Sequence, residues 1–207
     1  MRLRILALAL CSGILCFSGC RMVSVQEYQQ LQDPESPLLK QAPEIFKNKL
    51  TSQITETALA VDELTNKLST EQDFAKACET YGFRQSSDLQ CNFPVKVEGS
   101  ITAINTKSRR GTITVTTAAG TEVKVQIGPV IMGTALRDIQ KGVSYTSFND
   151  QTVYGEYGEL INAQSVELSK SQKFEVGQTV EIYGAFSSWD FPNMSTVRVA
   201  PVAVTIK

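Results

Sequence analysis

Histidine is absent from the 207 residues, which removes the commonest general base and the commonest metal ligand together. Tryptophan occurs once and cysteine five times. Charge of one sign is missing too. Twenty basic residues stand against 21 acidic ones, a formal net charge of -1, so no global field draws the chain to nucleic acid or to an anionic membrane surface. Low-complexity tracts are lacking, and the only long uncharged apolar run lies near the start. What remains is a 42% hydrophobic share, enough for the core of one compact domain with extensions.

The start explains much of the rest. Arg2 and Arg4 precede an uncharged run from Ile5 to Phe17, too short for a transmembrane helix of about 20 apolar residues. A basic start, a short apolar run and then small residues are the pattern of a secretory signal peptide over residues 1–19. The run ends Phe17-Ser18-Gly19-Cys20, which resembles the lipobox of bacterial lipoproteins. Ser18 and Gly19 fit that pattern, while Phe17 stands where an aliphatic residue is usual. The resemblance implies cleavage before Cys20 and acylation of that cysteine. Two or three acyl chains, at about 0.8 kcal/mol per buried CH₂, anchor a protein stably. Arg21 follows where an aspartate would resemble an inner-membrane retention signal, which implies the outer membrane. Cys11 and Cys16 leave with the signal, so Cys78 and Cys91 remain as one pair in an oxidising compartment. A disulfide is expected there, worth on the order of 3 kcal/mol for a loop of about 14 residues. The alternatives are two free thiols or two metal ligands, and without histidine or further cysteine no metal site is expected.

Residues 20–42 are Gln-rich and broken by prolines, the composition of a lipidated tether. From Pro43, residues Phe46, Leu50, Ile54, Val61, Leu64 and Leu68 recur at helical spacings, predicting one amphipathic helix to Leu68. Ser69 and Gln72 have capping-box spacing and predict a second helix to Tyr81, stopped by Gly82. Residues 43–92 therefore read as a helical hairpin. Beyond Phe93 the period changes. Val95–Asn105, Thr112–Thr117 and Thr121–Gly128 alternate between polar turns. A short helix over Gly133–Ile139, a helix around Glu159–Leu168, and strands Thr179–Ser188 and Ser195–Lys207 complete the chain. Three strands, a helical excursion over 129–176 and two further strands give the order of an OB-type barrel across 93–207. The expected fold class is α+β, mainly β: an OB-like five-stranded barrel preceded by two N-terminal helices. An open meander sheet covered by the long helix is the alternative.

The stretch GPVIMGTALRD, from Gly128 to Asp138, nearly spells a phosphate-binding loop. Thr134, however, stands where the motif needs lysine, so the positive charge for β and γ phosphates is missing. The same stretch, with YTSFNDQTVYGEYGELINAQSVE after it, resembles domain-of-unknown-function family 2291, a group of predicted bacterial periplasmic lipoproteins. The resemblance runs from Cys20 to the last strand. It names no reaction. Members are often encoded near sugar-uptake ABC transporter components, which implies an accessory role in solute uptake, with transporter components or a small sugar as partner.

Arg137, Asp138, Asn149, Asp150 and Tyr154 form the densest polar cluster. Guanidinium, carboxylate, amide and phenol together suit a sugar or a peptide segment; the plainer reading has them satisfying buried backbone groups. The expected function is a lipid-anchored periplasmic binding or scaffolding lipoprotein, without cofactor and not an enzyme. A carboxylate-dependent glycan-acting enzyme built on Asp138 with Asp150 or Glu156, and a purely structural envelope lipoprotein, are the alternatives. Nucleic acid is not expected as a partner. Val95 to Gly128 contain no aromatic residue on which a base could stack.

Overall fold

The structure, a computed structural model, describes residues 37–148 and 150–207. A helical run α1 spans 37–57: Pro37–Glu44, a π-helical stretch Ile45–Leu50, then Thr51–Thr57. The two-residue strand β1, Leu59–Ala60, leads into α2, Val61–Thr70, and α3, Phe74–Tyr81. Strands β2, Cys91–Asn105, β3, Arg110–Thr116, and β4, Glu122–Pro129, follow. Next come the short α4, Ala135–Asp138, and the long α5, Gln151–Lys170. Strands β5, Thr179–Ser188, and β6, Arg198–Ile206, end the chain.

The barrel closes. β2 pairs with β3, β3 with β4 and β5 with β6, all antiparallel; β4 pairs with β6 in parallel, and β5 returns to β2. Closure leaves no end strand in the five-stranded ring, where the open-meander alternative would have had two. β2 is long because it serves two neighbours in turn. Cys91–Ser100 register with β5, and β3 joins only from Ser100 onward. The edge this leaves beside the first half of β2 is covered by β1, at Val95 and Lys96, and by a bridge from Phe83 to Asn92. Gly184 marks a close approach: a Cβ there would meet the Ala200 carbonyl oxygen at 2.4 Å. The β5–β6 register shifts at that point and skips Val202.

That shift lets β6 serve two cores. Val199 faces the barrel interior with Val95, Val97, Ile113, Val125 and Ile182, while Ala200 and Val202 face outward. Outside, α1, α4 and α5 pack on β5 and β6 through Phe46, Leu50, Ile54, Leu136, Tyr157 and Ile161. The helices also meet carbonyls at the bulge: Ser165 Oγ donates to Pro201 O at 2.6 Å, and Thr51 Oγ1 to Val202 O at 3.4 Å. Both cores lie within the compact unit Ser36–Lys207.

The N-terminal helices depart from expectation in three ways. Residues Pro37–Glu44, partly inside the stretch read as tether, are helical, because Leu38 and Leu39 pack on the outer core. The single helix over 43–68 is broken at Ala58, which is extended at ψ 130°, since Leu59 and Ala60 are needed as the cover for β2. Its apolar face is accordingly divided: Phe46, Leu50 and Ile54 join the outer core, and Val61, Leu64 and Leu68 plug the barrel end. Ser69 and Thr70 end α2 instead of starting α3, whose N-cap is Asp73, accepting from the Ala75 and Lys76 amides. Two expected helices are thus three. Gly82 does end α3, for a different reason from a left-handed stop: its φ is -133°, and a Cβ there would stand 2.5 Å from Cys91 Sγ. Cys78 and Cys91 are disulfide-bonded with Cα atoms 5.8 Å apart, stapling the last turn of α3 to the start of β2. The expected signal peptide, Cys20 and the first part of the expected tether lie outside the described residues, as does Asn149.

Candidate functional site

Gln126 positions the site. Its buried amide accepts from the Met132 N–H at 2.6 Å and donates to the Met132 carbonyl at 3.2 Å and to that of Arg198 at 3.4 Å. A side chain of β4 thereby does the work of a strand neighbour, fixing the segment that leads into α4. Gly133 follows with φ +84°. Thr134 then precedes α4, but its hydroxyl does not cap the helix. It donates to Asp138 Oδ2, one turn on.

Asp138 is the hub. Besides Thr134 it accepts from Arg137 Nε at 2.7 Å and from Tyr154 OH at 3.0 Å. The Arg137 guanidinium lies over the Tyr154 ring, Cζ 3.8 Å from its centroid, a stacked cation–π contact. Gly158, one turn along α5 from Tyr154, makes room for it, because a Cβ there would meet Arg137 Cδ at 3.1 Å. Burial first, and then the Asp138 carboxylate, hold the Tyr154 phenol above its ordinary value. Beneath lies a second phenol. Tyr157 is fully buried and donates to Gln140 Oε1 at 2.6 Å, while Gln140 Nε2 is pinned to Leu136 O at 3.0 Å.

Three of the five predicted residues, Arg137, Asp138 and Tyr154, are therefore brought together. Asp150 is not among them. It is the N-cap of α5, its exposed carboxylate accepting from the Thr152 amide; hydrogen bonding from the Thr152 side chain first, and from that amide second, lowers its pKa. Glu156 is exposed on α5. Among the described residues no group of three or more histidine, cysteine, aspartate or glutamate side chains could hold a metal ion, and no helix is long and apolar enough to cross a membrane.

The space beside Arg137 opens away from α5, which the Tyr154 stack fills. A cavity of about 220 Å³ is lined by Arg137, Asp138, Thr134, Gln85, Asn92 and Trp189. It shares Gln90 with a neighbouring cavity of about 480 Å³, whose walls include Met132, Phe191, Asn193 and Arg198. Six large hydrophobic side chains are exposed among the described residues, and four of them border these two cavities: Leu89, Met132, Trp189 and Phe191. The sequence reading missed this end of the site. Its signal was present as SSWDFPNM, Ser187 to Met194, where the one tryptophan and a phenylalanine stand in a Pro/Asn-containing turn between strands.

The arrangement can bind. A guanidinium donates, a carboxylate accepts, primary amides do both, and an indole gives an apolar plate beside them.

No curated protein matches the chain. Among solved structures, an OB-fold protein from Thermotoga maritima superposes with a TM-score of 0.63 at 14% identity, covering 82% of this chain and 98% of that one. An OBody bound to hen egg-white lysozyme shows a TM-score of 0.28 at 15% identity, over 55% of this chain and 80% of its own. The first likeness speaks for the OB fold alone; the second is too distant to argue from. The sequence pattern of a family described as predicted periplasmic lipoproteins, DUF2291, matches residues 10–205. Since the match takes in almost the entire length, from within the apolar run near the start to the last strand, the chain belongs to the DUF2291 family of predicted periplasmic lipoproteins.

Proposed function

We propose that the chain is a lipid-anchored binding module serving sugar uptake as an accessory to an ABC-type transporter. Its anchor is Cys20, on the periplasmic side of the outer membrane in preference to the inner. The cavity of about 220 Å³ over the Arg137–Asp138 pair carries this reading. Its volume is below the roughly 300–1,000 Å³ of sites for drug-sized ligands, which fits one sugar ring and not a chain of them. Sugar hydroxyls are donors and acceptors at once, and the guanidinium, carboxylate and amides in the wall meet both needs. Trp189 at the mouth offers its face to the apolar side of a ring.

The test is thermal unfolding of the body from Ser36 onward with a panel of monosaccharides. A ligand at 100 times its Kd stabilises by about 2.7 kcal/mol. Stabilisation by at least one sugar, lost in Arg137→Ala and kept in Asp150→Ala, is the expected result. Asp150→Ala lowers the melting temperature through loss of the helix cap and nothing else. Should no sugar shift the wild-type transition, or should Arg137→Ala bind as well as wild type, Arg137 is a structural residue and the sugar reading falls.

A further inference from the structure

The larger cavity has a different chemistry. Met132 and Phe191 stand exposed at its mouth, and Arg198 lies in its wall. Lys124 is the strand neighbour of Arg198 across the parallel β4–β6 pairing. Val125 and Val199, next in both strands, are buried in the barrel, so Lys124 and Arg198 share the outer face. Among the described residues no ion pair neutralises either cation. Two adjacent like charges repel, and an incoming carboxylate relieves that.

Met132 is held out by the Gln126 clasp on its own backbone. Phe191 is held at the rim by an edge contact with Phe74, ring centroids 5.5 Å apart. Anchored aromatic and methionine side chains beside an arginine, around a concavity, have the composition of the centre of a protein interface. A membrane surface would call for a convex apolar prominence; this apolar rim encloses a hollow.

We propose that this cavity docks an acidic segment of a partner protein, with one apolar side chain seated between Met132 and Phe191 and a carboxylate against Arg198 and Lys124. The inference stands apart from the sugar reading, which uses the smaller cavity and Arg137.

A phage-displayed library of linear dodecapeptides, selected on the folded body from Ser36 onward, tests it. The expected result is enrichment of peptides carrying an aromatic or large aliphatic residue within a few positions of aspartate or glutamate. Synthetic copies of these should weaken by about tenfold or more on Met132→Ser and on Arg198→Glu, the size of loss expected at an interface hot spot. They should bind Arg137→Ala as they bind wild type. Both altered side chains are exposed, so folding is preserved and is checked by the melting temperature. Selection of peptides without acidic residues, binding that survives both substitutions, or no enrichment over the Met132→Ser protein would overturn the proposal. Equal loss with Arg137→Ala would place the peptide in the sugar cavity and overturn it as well. Partition of the body into vesicles of phosphatidylglycerol through the same residues would reassign the surface to the membrane.

Discussion

Tyr157 shows how one buried phenol ties the site to stability. Burial pushes its pKa from 10.0 up to about 12, because the anion would lose water without a compensating charge. The unfolded chain releases this proton first. The folded state therefore keeps its full advantage below about pH 10, and loses it as pH rises towards 12. Tyr154 is raised for the same leading reason and acts in the same direction. Urea unfolding of wild type and Tyr157→Phe at pH 8, 10 and 11 isolates the effect. The variant should be less stable at pH 8 by about 1–3 kcal/mol, since Gln140 Oε1 loses its donor, and its alkaline decline should be shallower. Parallel declines in the two proteins would mean that Tyr157 titrates as if exposed. The site residues show equally why residue-level reading reached only part of the cluster. Arg137 and Asp138 were legible because charged residues in a short helix need partners. Asp150 looked identical by composition, and only its position at the start of α5 makes it a cap. Gln126 carried no signal, because an amide that replaces a strand neighbour is indistinguishable in sequence from a surface glutamine.

At the scale of elements, alternation gave the strands well. Thr179–Ser188 spans the residues expected for it, and β3 and β4 lie within a residue or two of theirs. The helices were read less well, for a physical reason. Helical spacing reports that a face is buried and is silent on what buries it, so the break at Ala58, where one face passes from the outer core to the barrel end, left no trace in the period. Lengths suffered similarly: α5 extends to Gln151 on one side and Lys170 on the other, since Ser165 and Gly158 pack inside it without being apolar. The disulfide is the element-level staple that the count of cysteines left for an oxidising compartment did disclose. It joins residues 13 apart, and the chain-entropy model gives about 3 kcal/mol for such a loop. Replacing both cysteines by alanine should cost about that much in guanidinium unfolding, with the strand signature in circular dichroism retained, because β2 is still paired with β5 along its length. A loss well under 1 kcal/mol would show that α3 is held by its packing alone. Ala77, which shares a core with Leu64, Leu68 and Phe93, and Phe74, whose ring meets that of Phe93, would then be the residues holding it.

At the largest scale, the described residues form two cores sharing two strands. Ile182 and Val199 point into the barrel while Tyr183, Ala185, Ala200 and Val202, on those same strands, point to the helical layer. Neither layer should melt and leave the other intact. Removing the helices would expose Ala200 and Val202 on a strand whose bulge carbonyls need Ser165 and Thr51, and opening the barrel would dissolve the surface on which α1 and α5 lie. A single cooperative transition follows, although the chain looks like a barrel with an excursion. Ile182→Ala, in the barrel, and Leu136→Ala, in the outer layer, each remove a fully buried side chain, and each should lower the unfolding free energy by about 2–5 kcal/mol. The decisive observation is their form. In both variants, transitions followed by backbone circular dichroism and by tyrosine absorbance should coincide, the latter weighted to Tyr154 and Tyr157 in the outer layer. If Leu136→Ala splits them, with the tyrosines released while the strands persist, the helical layer is an independent lid. The candidate site, which hangs on Arg137 and Tyr154 from two helices of that layer, would then open and close on its own.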